Sequence, residues 1–162
     1  MTASDKQLTT CLWFDGQAEE AADFYLSVFK DSSRGRVGHY TEAGPGEPGS
    51  VLTVEFTLNG QRFVGLNGGP QFHFDEAISF QIPCADQEEV DYYWSRLTEG
   101  GGEEGPCGWL KDRFGVSWQV VPDALIEMAA GEDQEKAARA MAKMLTMHKL
   151  DIAELRRAYE GG

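Results

Sequence analysis

The stretch Cys107-Gly-Trp-Leu-Lys-Asp-Arg-Phe-Gly-Val-Ser-Trp-Gln-Val-Val-Pro122 reads as a tight hairpin. Trp109 and Leu110 close one strand, and Lys111 to Gly115 turn. Val116 to Val121 run back as a β-branched and aromatic strand that Pro122 stops. Gly115 supplies the positive φ such a turn needs. Gln119 is the polar residue among Trp118, Val120 and Val121. Whether its side chain meets a ligand cleft or solvent is the functional question this stretch poses.

Upstream of the hairpin, Ala77 to Pro83 is a strand, and Ala85 to Glu99 a helix with Val90, Tyr93, Trp94 and Leu97 on its inner face. Gly100 to Gly102 end that helix, and Glu103 to Gly108 hold a short edge strand. The first half runs in the same order. Leu8 to Phe14 is an apolar strand, and Gln17 to Lys30 carries an apolar helical stripe of Ala18, Ala21, Ala22, Tyr25, Val28 and Phe29. Gly35 to Thr41 is a further strand. Val51 to Leu58 and Arg62 to Leu66 form a hairpin about Asn59-Gly60, a strong two-residue turn signal. At an offset of 69, Glu19-Glu20 falls on Glu88-Glu89, Phe24-Tyr25 on Tyr93-Trp94, and Leu8–Phe14 on Ala77–Pro83, as a duplicated module predicts.

Two further segments lie outside that repeat. Glu42 to Ser50, rich in proline and glycine, reads as a mobile surface loop, with a lid over a cleft as its functional alternative. After Pro122 the pattern turns helical, over Asp123 to Ala130, Gln134 to His148 and Asp151 to Tyr159, with Asp151 as N-cap of the last. The Met-rich stripe of the second helix reads as packing. The domain reading is thus a paired-module domain over 1–122 (modules about 7–70 and 75–122) with a helical extension over 123–162.

The net charge of −13 over 162 residues repels nucleic acid and anionic membrane surfaces, so neither is an expected partner. No apolar run approaches the ~20 residues of a membrane span, and Met1 to Asp15 lacks the pattern of a secretion signal. Cys11, Cys84 and Cys107 share no metal or redox spacing and read as reduced, mostly buried thiols. The expected location is cytoplasmic.

These residues carry a family likeness. Leu12 to Ala21 with Phe24-Tyr25, Leu66 to Pro70 with Phe72, Glu76 to Phe80, Cys107 to Asp112, Phe114-Gly115 with Ser117 to Pro122, and the closing Ala140-Met141, Met144-Leu145, Met147 and Lys149 to Ala153 resemble the PhnB-like branch of the vicinal oxygen chelate superfamily, which includes glyoxalase and bleomycin-resistance proteins. The resemblance implies an α+β fold of two β-α-β-β-β modules, each a curved mixed sheet, around a ligand cleft, in a homodimer. The branch is often labelled demethylubiquinone methyltransferase. A Rossmann-like methyltransferase needs a glycine-rich turn after a first parallel strand, and none is present.

Metal-dependent members take His and Glu from the first and last strands of each module. Here those strands offer Thr9 and Thr10, Gly65 and Asn67, Ala77 and Ser79, and Gln119 where the enzymes carry Glu. His39, His73 and His148 share no ligand spacing. The expectation is therefore no metal and no cofactor. The expected function is binding of a small organic molecule in the cleft. The expected ligand contacts are Trp13, Glu55, Phe56, Asn67, Phe80, Trp109, Trp118 and Gln119, apolar walls with few polar anchors. Core packing is the competing role for the aromatic residues. Two other readings stand beside this one: a metal-dependent lyase, isomerase or dioxygenase of the same superfamily, and a non-catalytic dimeric interaction module.

Overall fold

The computed structural model describes residues 6–162. The first five, part of the stretch read for a secretion signal, lie outside the described residues. The chain divides into two compact units, the first ending at His73 and the second beginning at Phe74.

The first unit runs β1 (Thr9–Phe14), α1 (Ala18–Val28), β2 (Ser32–His39), β3 (Val51–Leu58) and β4 (Gln61–Asn67). The sheet order is β1-β4-β3-β2, with β1 and β4 parallel and the other pairs antiparallel. Asn59 and Gly60 both have positive φ (48° and 82°), as the two-residue turn joining β3 to β4 requires. Strand alternation puts Leu12, Phe14, Val54, Phe56, Leu58 and Phe63 into the core, where Phe56 stacks on Tyr25 of α1 and on Phe63.

Glu42 to Ser50 folds back on Tyr40. The Tyr40 N–H donates to Ser50 O and its carbonyl accepts from Gly49 N–H, while its ring fills the space a Cβ on Gly44 or Gly46 would need. The loop lies at the surface, as expected, and its Gly44 and Gly46 serve close approach to the Tyr40 ring.

The second unit repeats the plan with β5 (Ser79–Cys84), α2 (Gln87–Thr98), β6 (Glu103–Glu104), β7 (Trp109–Lys111) and β8 (Ser117–Pro122), in the order β5-β8-β7-β6. Gly115 sits at φ 92° in the turn between β7 and β8. Three helices follow: α3 (Asp123–Ala129), α4 (Gln134–Met144) and α5 (Ile152–Glu160), the last capped by Asp151 accepting from Glu154 N–H. They bury their own cluster, including Leu125, Met128, Ala140, Leu150 and Leu155. The Met-rich α4 fits the packing reading in part: Met144 and Met147 pack on that cluster, whereas Met141 is exposed. The helix stops at Met144 and does not reach the expected His148: beyond it the bonding tightens to three-residue steps, with Thr146 N–H donating to Lys143 O and Met147 N–H to Met144 O (both 3.0 Å).

The internal repeat holds with one amendment. The helices align at an offset of 69: the buried Ala21, Tyr25 and Val28 fall on the buried Val90, Trp94 and Leu97. The strands require 70. Only then do the buried Leu12 and Phe14 fall on the buried Ile82 and Cys84; at 69 they meet the exposed Gln81 and Pro83. A shift of one residue turns every strand side chain to the opposite face. The turn before α2 is one residue shorter than the turn before α1, which accounts for the difference.

Candidate functional site

Each sheet packs one face against its own helix, α1 or α2, and leaves the opposite face open, although in the second unit the C-terminal cluster packs on Val121 at one end of that face. In the first unit the register aligns Cys11, Val64 and Glu55, and next to them Trp13, Leu66 and Thr53, on the open face. Glu55 is held there by Arg36, through Nη2 to Oε1 at 3.0 Å and Nε to Oε2 at 3.2 Å. The Arg36 hydrogen bonds hold its carboxyl below the usual carboxylate range. Trp13 spends its indole N–H on Gly69 O (2.8 Å) and meets Phe72 edge-on.

In the second unit the open face carries Ser79, Gln81, Ser117, Gln119, Lys111 and Trp109. Gln119 donates to Ser79 Oγ at 2.8 Å, accepts from Gln81 at 3.4 Å, and lies directly opposite Trp109 in the β7–β8 pairing. The glutamine thus points away from α2, but it does not itself line the cavity that its neighbours Trp109 and Ser117 wall. That cavity, of about 420 Å³, is walled by Trp109, Leu110, Pro106 and Cys107 and rimmed by Lys111 and Glu104. Lys111 pairs with Glu76, which raises the ammonium pKa and lowers the carboxyl's.

Four of the expected contact residues, Phe56, Trp118, Asn67 and Phe80, pack or bond within the fold. Phe56 and Trp118 are 2% and 3% exposed, so their rings belong to the core. Asn67 has both ends of its amide engaged, with Oδ1 accepting from Ala18 N–H (2.9 Å) and Nδ2 donating to Val51 O (3.1 Å). It supplies the cap that Gln17, at the head of α1, does not make. Phe80 packs against Trp118 at 5.4 Å on the helix-covered side, half-buried. Trp109, Gln119, Trp13 and Glu55 remain on open faces, the first two together in one unit and the last two in the other. The signal for Trp118 was available in sequence: it alternates with Val116 and Val120, both buried.

The strand positions that carry metal ligands in metal-dependent relatives present hydroxyls and amides. Thr10 and Gly65 lie on the helix side with Asn67, leaving Thr9, Val64 and Leu66 on the open face. Ser79 and Gln119 are bonded to each other. Among the described residues no three His, Cys, Asp or Glu side chains converge. This donor set does not suit a divalent cation. The thiols differ from the expected buried set: Cys84 is buried, but Cys11 is exposed and Cys107 is partly so.

A family model described as 3-demethylubiquinone-9 3-methyltransferase matches residues 6–121. No curated protein matches the chain. Among solved structures, the PhnB protein of Bacillus cereus is 36% identical, with 72% of this chain and 99% of that one covered at a TM-score of 0.63. A Pseudomonas aeruginosa protein shares the fold at 17% identity, over 72% of this chain and 96% of its own, with a TM-score of 0.59. The fosfomycin resistance protein FosX of Listeria monocytogenes, solved with Mn(II) and sulfate, does so at 20% identity, over 73% of this chain and 90% of its own, at 0.50. The described residues contain no helix long and apolar enough to cross a membrane. Family match, paired mixed sheets and repeat agree: the chain belongs to the PhnB-like family, named for 3-demethylubiquinone-9 3-methyltransferase, within the vicinal oxygen chelate superfamily.

Proposed function

We propose that the chain binds a small organic molecule, without a metal, in the Trp109 cavity of its second unit. The observation that carries this reading is the indole N–H of Trp109. The other three tryptophans spend theirs, Trp13 on Gly69 O, Trp94 on Glu104 and Trp118 on Asp112. Trp109 makes no side-chain hydrogen bond among the described residues, and it walls a cavity of about 420 Å³, within the range of small-molecule sites. An aromatic wall with one unspent donor suits a flat apolar body bearing a carbonyl or hydroxyl acceptor. Glu76, Glu103 and Glu104 against the single Lys111 make the rim acidic, so a neutral or cationic ligand is favoured over an anion.

The amide and hydroxyl donors on the strands support metal-free binding. The methyl transfer in the family's name finds no support in the topology. Each sheet has one parallel pair, formed by strands that are not consecutive, and the doubly wound β-α-β unit of nucleotide-type cofactors is absent from the described residues. Homodimerisation is part of the proposal. The exposed Leu8 and Ile78, equivalent at the 70-residue offset, stand at the entry to edge strands β1 and β5 and support it.

The test is a titration of tryptophan fluorescence with acetophenone, benzyltrimethylammonium and benzoate, in the natural chain and in Trp109→Phe. Saturable quenching by the first two, weakened in the variant and much weaker with benzoate, is expected. No saturation by any neutral or cationic aromatic probe sinks the binding reading. One equivalent of a divalent metal by elemental analysis of untagged protein sinks its metal-free part, and a single-chain mass by light scattering sinks the dimer.

A further inference from the structure

The wall of the Trp109 cavity between Gly105 and Gly108 belongs to no strand or helix, yet its backbone is tightly specified. Cys107 sits at φ 59°, a left-handed conformation that few residues other than glycine adopt, and Gly108 follows at φ 84°. Such a pair of residues persists where the surroundings over-determine it. The sheet supplies some of the determinants, with Gly105 N–H donating to Trp109 O and Val120 N–H to Gly108 O (both 2.8 Å), and the others come from about 40 residues further along the chain. Cys107 N–H donates to Met147 O at 2.7 Å, Gly108 N–H donates to His148 O at 2.8 Å, and His148 Nδ1 bonds Gly105 O at 2.9 Å.

The segment that supplies these bonds is itself pinned to α2. Gln87 donates from Nε2 to Leu150 O (3.0 Å) and accepts at Oε1 from Ile152 N–H (2.8 Å), a two-point grip on the backbone. Lys149 pairs with Asp91 one turn along the same helix. Leu150, 1% exposed, packs so closely on Gly108 that a Cβ there would meet its Cδ1 at 3.0 Å. The family match ends at residue 121, before this segment begins.

We propose that Met147–Ile152 is a brace that sets the shape, and thereby the affinity, of the Trp109 cavity from outside it, with Gln87 and His148 as positioning residues. The inference rests on the ligand reading of that cavity. Gln87 touches neither the wall nor the cavity; it holds the backbone that holds the wall. By linkage, a ligand that prefers the braced wall also tightens the brace.

The test uses the full chain and three variants: Gln87→Ala, His148→Ala and His148→Asn, which keeps a side-chain N–H donor. Exchange of the Cys107 and Gly108 amides is followed by NMR without ligand, and acetophenone affinity is measured separately. Gln87→Ala and His148→Ala are expected to speed exchange at both amides about tenfold or more and to weaken acetophenone several-fold, with His148→Asn restoring much of each. Asn67→Ala, which loosens α1 in the other unit, serves as the control for a general loss of stability. Unchanged exchange at Cys107 and Gly108 overturns the brace. So does a loss of affinity no greater than in the Asn67 control. A natural chain that fails to bind acetophenone sinks the ligand reading instead, while the exchange arm still decides whether the segment braces the wall.

Discussion

The indole N–H of Trp118 donates to Oδ2 of Asp112 at 2.9 Å, and both residues are 3% exposed. The other carboxylate oxygen accepts from the N–H groups of Phe114 (2.9 Å) and Val116 (3.1 Å). One buried acid therefore closes the turn of the β7–β8 hairpin and ties it to the core tryptophan. Asp112→Ala strands three donors at once. A loss of about 2–4 kcal/mol is expected from urea unfolding, less for Asp112→Asn, and about 1–2 kcal/mol for Trp118→Phe. A loss below about 0.5 kcal/mol for Asp112→Ala would show that water replaces the carboxylate freely.

Asn67 gives the second prediction. Its Oδ1 satisfies Ala18 N–H at the head of α1 from 49 residues away, because Gln17 makes no cap. Asn67→Ala should cost about 1–2 kcal/mol, the usual cost of a lost cap plus a freed Val51 carbonyl. Placing Asp at position 17 in that variant restores part of the loss if capping is the cause. No recovery would point to the Val51 bond instead.

The contrast between these two residues shows what sequence alone could reach. Period-2 alternation, the Asn59-Gly60 turn and the Asp151 cap are local, and each was readable from a few neighbouring residues. The side of the sheet taken by Trp118 was readable too, from Val116 and Val120. Asn67 as a cap was not, because its partner is fixed only once β4 lies beside β1. The 69-residue match of the helices concealed the 70-residue match of the strands, since a missing turn residue leaves helix periodicity intact while reversing strand faces. The tail showed its helices but not its grip on Gly105 to Gly108, which depends on backbone bonds to which side-chain pattern is blind.

The thiols separate by environment. Burial, helped by Glu89, Asp123 and Asp86, pushes Cys84 up to about 12. At pH 8 only ~10⁻⁴ of it is thiolate, so it is inert in the folded chain. Burial raises Cys11 as well, but that residue is exposed. A disulfide-exchange reagent at pH 8 should label Cys11 in the native protein and reach Cys84 only on unfolding. Labelling rates unchanged by Cys11→Ser would refute that order.

Acid should loosen the C-terminal segment through Asp91. Hydrogen bonds from Lys149 and Gln87 hold its carboxyl below the ordinary aspartate value. A folded pKa below the unfolded one contributes stability that is fully present above the unfolded value, about 3.9, and is lost as pH falls through the folded value. Asp91→Asn should therefore be less stable than the natural chain at pH 7, and the gap should close as pH drops below about 4. The pair is largely solvent-exposed, so added salt should narrow the gap at pH 7 as well. Urea midpoints across pH 2.5–7 for the two proteins check the sign. A gap of constant size across that range would mean that Asp91 acts through its shape and not its charge.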